Sequence, residues 1–354
     1  MLEITASKKI FGFLVLLLFS VAGNLQGQNL FGQDRAVRVL EQFAEEKGQK
    51  APVVTALCVQ ASGDLLVSAG DDHLIRVWNR NTGELVWKLT GHQDWVRAAQ
   101  FSPDGKSMAT AGNDREIFLW DMEKGEEISR IPQEEAVCVL KYSPDGKYLA
   151  AAGASKFLSL YETGTGKKTA TLLCADNDTR TIAFSADSQN IVAAGRTGVL
   201  RIWKTQTGQK VADIQGHKRR VRALVFSADG KTLFSAAEDK TLRGWDMATS
   251  NQLFSLSSGG AKIQSMALCN ERCLATAGTD NSIQLWDLQE KRQVGVLNGH
   301  KGSIVALEAD GEYLVSGSYD TTVRVWDLSE GIDMQKRGKI TVVPVKSIKS
   351  IIQK

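Results

Sequence analysis

Three sets of residues in this 354-residue chain carry the side chains of a hydrolase. His92, Thr110 and Asp114 form one; His217, Ser235 and Asp239 a second; His300, Ser316 and Asp320 a third. In a catalytic triad the imidazole takes the hydroxyl proton while the carboxylate orients the imidazole. That machinery is needed once per chain, yet here it recurs at nearly constant spacing. A tryptophan follows each hydroxyl at the same offset: Trp120, Trp245 and Trp326. No nucleophile elbow or oxyanion-hole motif accompanies them. Repetition favours a structural role, and the chain reads as non-enzymatic.

Other candidate chemistry is weaker. Gly164 to Thr169 (GTGKKT) resembles a phosphate-binding loop, but the opening glycine is missing and Lys168 stands where Ser or Thr is required. The stretch aligns instead with Asn81-Thr82-Gly83-Glu84 and Thr205-Gln206-Thr207-Gly208, so it reads as a hairpin. The five cysteines show no zinc-ligand spacing with the four histidines. Buried free thiols are the simple expectation, with Cys269–Cys273 pairing across the Asn270-Glu271-Arg272 turn as the alternative in an oxidising compartment. Asn177-Asp178-Thr179 is a formal glycosylation acceptor that matters only on a eukaryotic secretory route. No cofactor is implied.

The elements that position these residues are repeats. Segments ending in Trp78, Trp120, Tyr161, Trp203, Trp245, Trp286 and Trp326 recur at steps of 40 to 42 residues. Asp121, Asp246, Asp287 and Asp327 directly follow four of these aromatics. Each unit opens on an alternating strand such as Val96 to Phe101 and continues through a turn such as Ser102-Pro103-Asp104-Gly105-Lys106. Asp-Gly supplies the positive φ that a tight hairpin needs. A small-residue strand (Met108 to Gly112) follows, expected close to a crowded axis. A turn bearing Asp114, a strand ending in Trp120 and a Gly-containing hairpin to a fourth strand complete the unit. Four short strands in such a period make one propeller blade.

With these Gly-His and Trp-Asp signatures, residues 52 to 330 resemble the WD-repeat family. The resemblance implies an all-β fold: a seven-bladed β-propeller of four-stranded antiparallel blades around a channel. It also implies that Asp, His, Ser/Thr and Trp of each full set form a hydrogen-bonded tetrad tying the strands of blades two, five and seven. Blades one (Ser68, Asp72, Trp78) and six (Thr276, Asp280, Trp286) lack the histidine. Blade three has Ala151, Ser155 and Tyr161, and blade four Ala193 and Thr197 before Trp203, which puts their local stability in doubt. The closing strand comes from Ala36–Leu40 or from Lys339–Val345. β-Propensity favours the latter, and Arg38 to Glu46 also reads as a short amphipathic helix.

At the N-terminus, Lys8 and Lys9 precede an apolar run from Ile10 to Ala22, with Ala22 and Gly23 near a plausible cut. This reads as a signal peptide over residues 1–23, with an uncleaved anchor as the alternative. A lead segment (24–50), the propeller (51–345) and a basic tail (346–354) follow. Together they describe an exported WD-repeat protein of bacterial type, periplasmic or secreted, touching a membrane only if the first segment is retained.

A net charge of +3 does not by itself select nucleic acid, and export disfavours it. Docking positions carried over from the family are Trp95, Arg97 and Asn113 in blade two, and Asp178, Arg180 and Arg196 in blade four. In blade five they are Arg220, Arg222 and Glu238 beside Lys218 and Arg219. Blade six gives Lys262, Gln264 and Thr279, and blade seven Ser303, Val305 and Tyr319. Trp, Tyr and Arg dominate interface energies. The expected function is an extracytoplasmic protein–protein interaction scaffold with an Arg-rich face over blades four to six for an acidic segment. A small-ligand or cell-wall glycan sensor, or an enzyme with its site in the channel, are the alternatives. The repeats leave the oligomeric state open.

Overall fold

The computed structural model describes residues 38–41, 50–61, 63–311 and 313–328. The expected signal segment 1–23, the run Lys339–Val345 and the tail 346–354 lie outside them. The described residues form 28 strands in seven four-stranded antiparallel sheets, with no helix among them.

A short strand, β1 (Arg38–Glu41), comes first. Blade one is β2 (Val54–Val59), β3 (Leu65–Gly70), β4 (Ile75–Asn79) and β5 (Leu85–Leu89). Blade two is β6 (Val96–Phe101), β7 (Ser107–Gly112), β8 (Glu116–Asp121) and β9 (Glu126–Pro132). Blade three runs from β10 (Val137–Tyr142) through β11 (Tyr148–Gly153) and β12 (Phe157–Glu162) to β13 (Lys168–Leu173). Blade four follows with β14 (Thr179–Phe184), β15 (Asn190–Gly195), β16 (Val199–Lys204) and β17 (Lys210–Gln215). Blade five has β18 (Val221–Phe226), β19 (Thr232–Ala237), β20 (Thr241–Asp246) and β21 (Gln252–Ser257). Blade six has β22 (Ile263–Leu268), β23 (Cys273–Gly278), β24 (Ser282–Asp287) and β25 (Arg292–Asn298). Blade seven holds β26 (Ile304–Ala309), β27 (Tyr313–Ser318) and β28 (Thr322–Asp327).

Closure differs from the expectation. The outer strand of blade seven is β1, antiparallel to β28 with Leu40 opposite Val323. The preference for the C-terminal run over the N-terminal one is therefore corrected, and Arg38–Glu41 is strand rather than helix. The physical reason is register: the pairing buries Leu40 with Val323, Val325, Val54 and Trp78 at the seam of blades seven and one. Arg80 of blade one also pairs with Asp310 of blade seven.

The core is a ring of seven apolar clusters, each filled by two neighbouring blades. This explains the small-residue second strands. β7 is buried from Met108 to Gly112 because both its faces meet packed neighbours. The innermost strand is instead the first of each blade, so nearness to the axis was the wrong reason for the small residues. The Asp-Gly turns take the expected conformation, with φ of 70°, 73° and 69° at Gly105, Gly146 and Gly230.

Candidate functional site

The three His sets form buried tetrads. Trp120 Nε1 donates to Thr110 Oγ1 at 2.8 Å, and that hydroxyl meets His92 Nε2 at 2.8 Å. His92 Nδ1 lies 2.6 Å from Asp114 Oδ2. In blade five, Trp245 donates to Ser235 at 2.8 Å, Ser235 meets His217 Nε2 at 2.7 Å, and His217 Nδ1 is 3.0 Å from Asp239. Blade seven repeats this with Trp326 to Ser316 at 2.8 Å, Ser316 to His300 at 2.7 Å and His300 to Asp320 at 2.8 Å. The indole N–H occupies the hydroxyl oxygen, so the hydroxyl proton points to Nε2 and Nδ1–H faces the carboxylate.

The connectivity of a triad is thus present, but the three hydroxyls have 0% exposure. No substrate can reach them, and the sets tie strands together. Burial pushes His92 below its usual value against the opposing pull of Asp114. Burial also raises Asp239 and Asp320, but hydrogen bonds from His217 and Thr241, and from His300 and Thr322, outweigh it. Both carboxyls lie well below the ordinary carboxylate range.

The incomplete blades have substitutes. In blade three, Gln133 stands at the histidine offset, and Tyr161 Oη donates directly to its Oε1 at 2.9 Å across Ala151. In blade four the polarity is reversed: Asp176 lies in the loop before β14 and accepts from the Thr197 amide and hydroxyl, each at 2.9 Å. Blades one and six keep Trp78 to Ser68 and Trp286 to Thr276, both 2.8 Å. Arg76 holds Asp72 at 2.7 Å, and Gln284 bridges the Ser258 carbonyl at 3.0 Å and Asp280 at 3.4 Å. Blades three and four are therefore tied, by bonds that a search for the four-residue set misses.

At the same edge as the tetrads, the first strand of every blade slips register by one residue against the second. A bulge of this kind re-aims one side chain. The extra residue is Thr55, Arg97, Cys138, Arg180, Arg222, Gln264 or Val305. All but Gln264 line a central channel cavity of about 190 Å³. In blade two the bulge is preceded by Trp95, whose carbonyl packs against Gly112. A Cβ on Gly112 would lie 2.0 Å from that oxygen. Trp95 itself is 39% exposed, with the Arg97 guanidinium 5.6 Å from its ring centre.

The expected arginines divide into two groups. Arg180, Arg220 and Arg222 are half-buried and linked by acids: Asp178 forms an ion pair with Arg180 at 2.5 Å and accepts a hydrogen bond from Arg220 at 2.7 Å. Glu238 holds Arg220 at 3.3 Å and Arg222 at 2.7 Å. Burial raises the Glu238 carboxyl, but Arg222 and then Arg220 hold it below its usual range. This network leaves little free charge. The exposed cations around it are Arg196, Lys218, Arg219, Lys240 and Lys262, and none has an ion-pair partner among the described residues. Lys240 was missed by the sequence reading, although it follows the tetrad Asp239 directly. Asn113, Thr279 and Ser303 lie at the same rim, and Tyr319 is 49% exposed there.

Among the described residues no group of three or more His, Cys, Asp or Glu is placed to hold a metal ion. The five cysteines are free, and only Cys138 is not buried. Cys269 and Cys273 are buried thiols. A hydrogen-bonding contact with Cys269, together with burial, pushes the Cys273 thiol far above its usual range. The GTGKKT stretch forms the turn from β12 into β13.

Comparison with known proteins agrees with this architecture. The family model for the first β-propeller of IFT122 matches residues 53–304, and that for the WD domain, G-beta repeat, matches residues 291–327. WD repeat and SOCS box-containing protein 1 of Danio rerio is 42% identical over 74 residues, 20% of this chain and 18% of that protein. Its Homo sapiens counterpart is 40% identical over 74 residues, with the same coverage of both chains. Nuclear distribution protein PAC1 of Arthroderma otae is 41% identical over 71 residues, 20% of this chain and 15% of that protein. The chain thus matches under a fifth of the length of these relatives. With the family match extending over most of the propeller, the chain belongs to the β-propeller family of the first IFT122 propeller, within the WD-repeat proteins.

Proposed function

We propose that this protein is a non-enzymatic interaction scaffold whose tetrad-bearing face binds an acidic segment of a partner protein over blades four to six. WD-repeat propellers generally mediate protein–protein interaction. The observation that carries the finer reading is the cluster of five exposed cations without acidic partners, Arg196, Lys218, Arg219, Lys240 and Lys262. They surround a paired network that fixes the local backbone. Exposed unpaired charges steer association and set specificity, whereas Arg180, Arg220 and Arg222 already have carboxylates. Trp95 and Tyr319 supply apolar area farther round the rim.

The site of action is outside the cytoplasm, on the strength of the basic and apolar pattern in residues 1–23. Fractionation with N-terminal sequencing of the mature protein tests this. A cytosolic chain that keeps residues 1–23 contradicts it. For the binding face, pull-downs compare wild type with a variant carrying Glu at all five free cations. Loss of the recovered partner is expected, and unchanged recovery contradicts the reading.

A further inference from the structure

One place on each blade is filled by a long side chain everywhere except in blade three. Two residues before the repeat aromatic, the chain has Arg76, Phe118, Ser159, Arg201, Arg243, Gln284 and Arg324. Blades one, four, five and seven therefore place a guanidinium on the third strand, and in blade six Gln284 supplies an amide. Blade two has Phe118, and Arg130, opposite it on β9, sets its guanidinium carbon 4.4 Å from the ring centre. A cation or amide thus occupies this level in six blades. In blade three, Ser159 faces Thr171 on β13, and neither can fill the space.

The tetrad is also reduced in the same blade. Ala151 replaces the hydroxyl, Ser155 the carboxylate and Tyr161 the indole. What remains is an open pocket of about 220 Å³, walled by Gln133, Ser155, Phe157, Ser159 and Thr171. At its mouth stand Glu134 and Glu135, both exposed and without an ion-pair partner among the described residues. Phe157 is 40% exposed, and Lys156 Nζ lies 5.4 Å from its ring centre, so this ring already faces a cation. Lys168 is the cation in the wall, its Nζ 5.7 Å from the Tyr161 ring centre.

We infer that this pocket is a binding site for an arginine side chain supplied by a partner protein. The six other blades show what the level accepts when a side chain is present, and four hold an arginine from the third strand. Gln133 already receives the Tyr161 hydroxyl, so the donors of an incoming guanidinium meet Ser155, Ser159 and Thr171. Its charge is met by Glu134 and Glu135. A guanidinium stacks on an aromatic face better than an ammonium does, so an incoming arginine displaces Lys156 from the Phe157 ring. The site lies on blade three and does not depend on the acidic-segment reading for blades four to six.

The test uses the full chain and three blocked peptides of glycine with one central arginine, lysine or glutamate. Amide chemical shifts are followed by NMR. The arginine peptide is expected to shift Gln133, Glu135, Ser155 and Phe157, more strongly than lysine and with no effect from glutamate. Ser159→Arg installs the residue that blades one, four, five and seven carry, so it fills the pocket from within and abolishes those shifts. Glu134→Gln with Glu135→Gln leaves the interior intact and weakens binding at least threefold, which keeps the test decisive if Ser159→Arg does not fold. No shifts with arginine, equal shifts with glutamate, or undiminished shifts in the filled variant overturn the assignment.

Discussion

Tyr161 Oη donates to Gln133 Oε1 at 2.9 Å, spanning a blade that lacks both the histidine and the hydroxyl of blades two, five and seven. Two residues thus replace four. The bond is partly buried and single, so its net worth is that of one ordinary hydrogen bond, about 1 kcal/mol. Tyr161→Phe should therefore lower stability by about that amount in urea unfolding at unchanged m-value. No change in midpoint would show that the bond does not tie the blade.

The full tetrads should cost more to break. Ser235→Ala leaves Trp245 Nε1 and His217 Nε2 without their shared partner in a fully buried place. Each orphaned buried group costs about 1–3 kcal/mol, so a loss of about 3 kcal/mol is expected. Calorimetry on Ser235→Ala beside Tyr161→Phe measures the contrast, and equal losses would contradict the distinction between the two ties.

Acid should act on the tetrads in two stages. His92 is held below its usual value of 6.5, so the unfolded chain takes up its proton first as pH falls. Its contribution is complete above about pH 6.5 and is lost as pH falls through the lower folded value. Asp239 and Asp320 are depressed from 3.8, so their contribution is present above about pH 4 and is lost below it. Melting temperature between pH 7 and pH 5 should fall more for wild type than for His92→Gln. Parallel curves would contradict the assignment.

The cysteines give a chemical check on the interior. Burial pushes the Cys58 and Cys174 thiols up, and Cys273 is raised by a hydrogen-bonding contact with the Cys269 thiol as well as by burial. Only Cys138 is both partly exposed and set at the channel mouth, where Arg180 Nη1 lies 3.3 Å from its sulfur. Native alkylation followed by mass spectrometry should modify Cys138 first, and unfolding without reductant should expose all five thiols. Three reactive thiols after unfolding would instead reveal a Cys269–Cys273 disulfide.

The periodicity of the aromatics made the blades legible, because each blade is built from contacts within one repeat. The tetrads were legible for the same reason: β-pairing register fixes the offset between hydroxyl and tryptophan. Closure was not, since β1 is only four residues long and β-propensity carries no information about which partner buries Leu40. The neutralisation of Arg220 by Asp178 was missed although the two stand 42 residues apart, one repeat, and so face each other across neighbouring blades. Gln133 escaped notice because only histidine was sought at its position. In each case the signal lay in comparing equivalent positions between blades.

Binding of a fluorescein-labelled oligoglutamate peptide to the full chain, followed by anisotropy, reads the acidic-segment site on blades four to six. Saturable binding is expected that weakens with salt and falls at least tenfold when Arg196, Lys218, Arg219, Lys240 and Lys262 are all changed to Glu, with melting temperature unchanged. Binding that survives this reversal in a folded protein would contradict the acidic-segment reading.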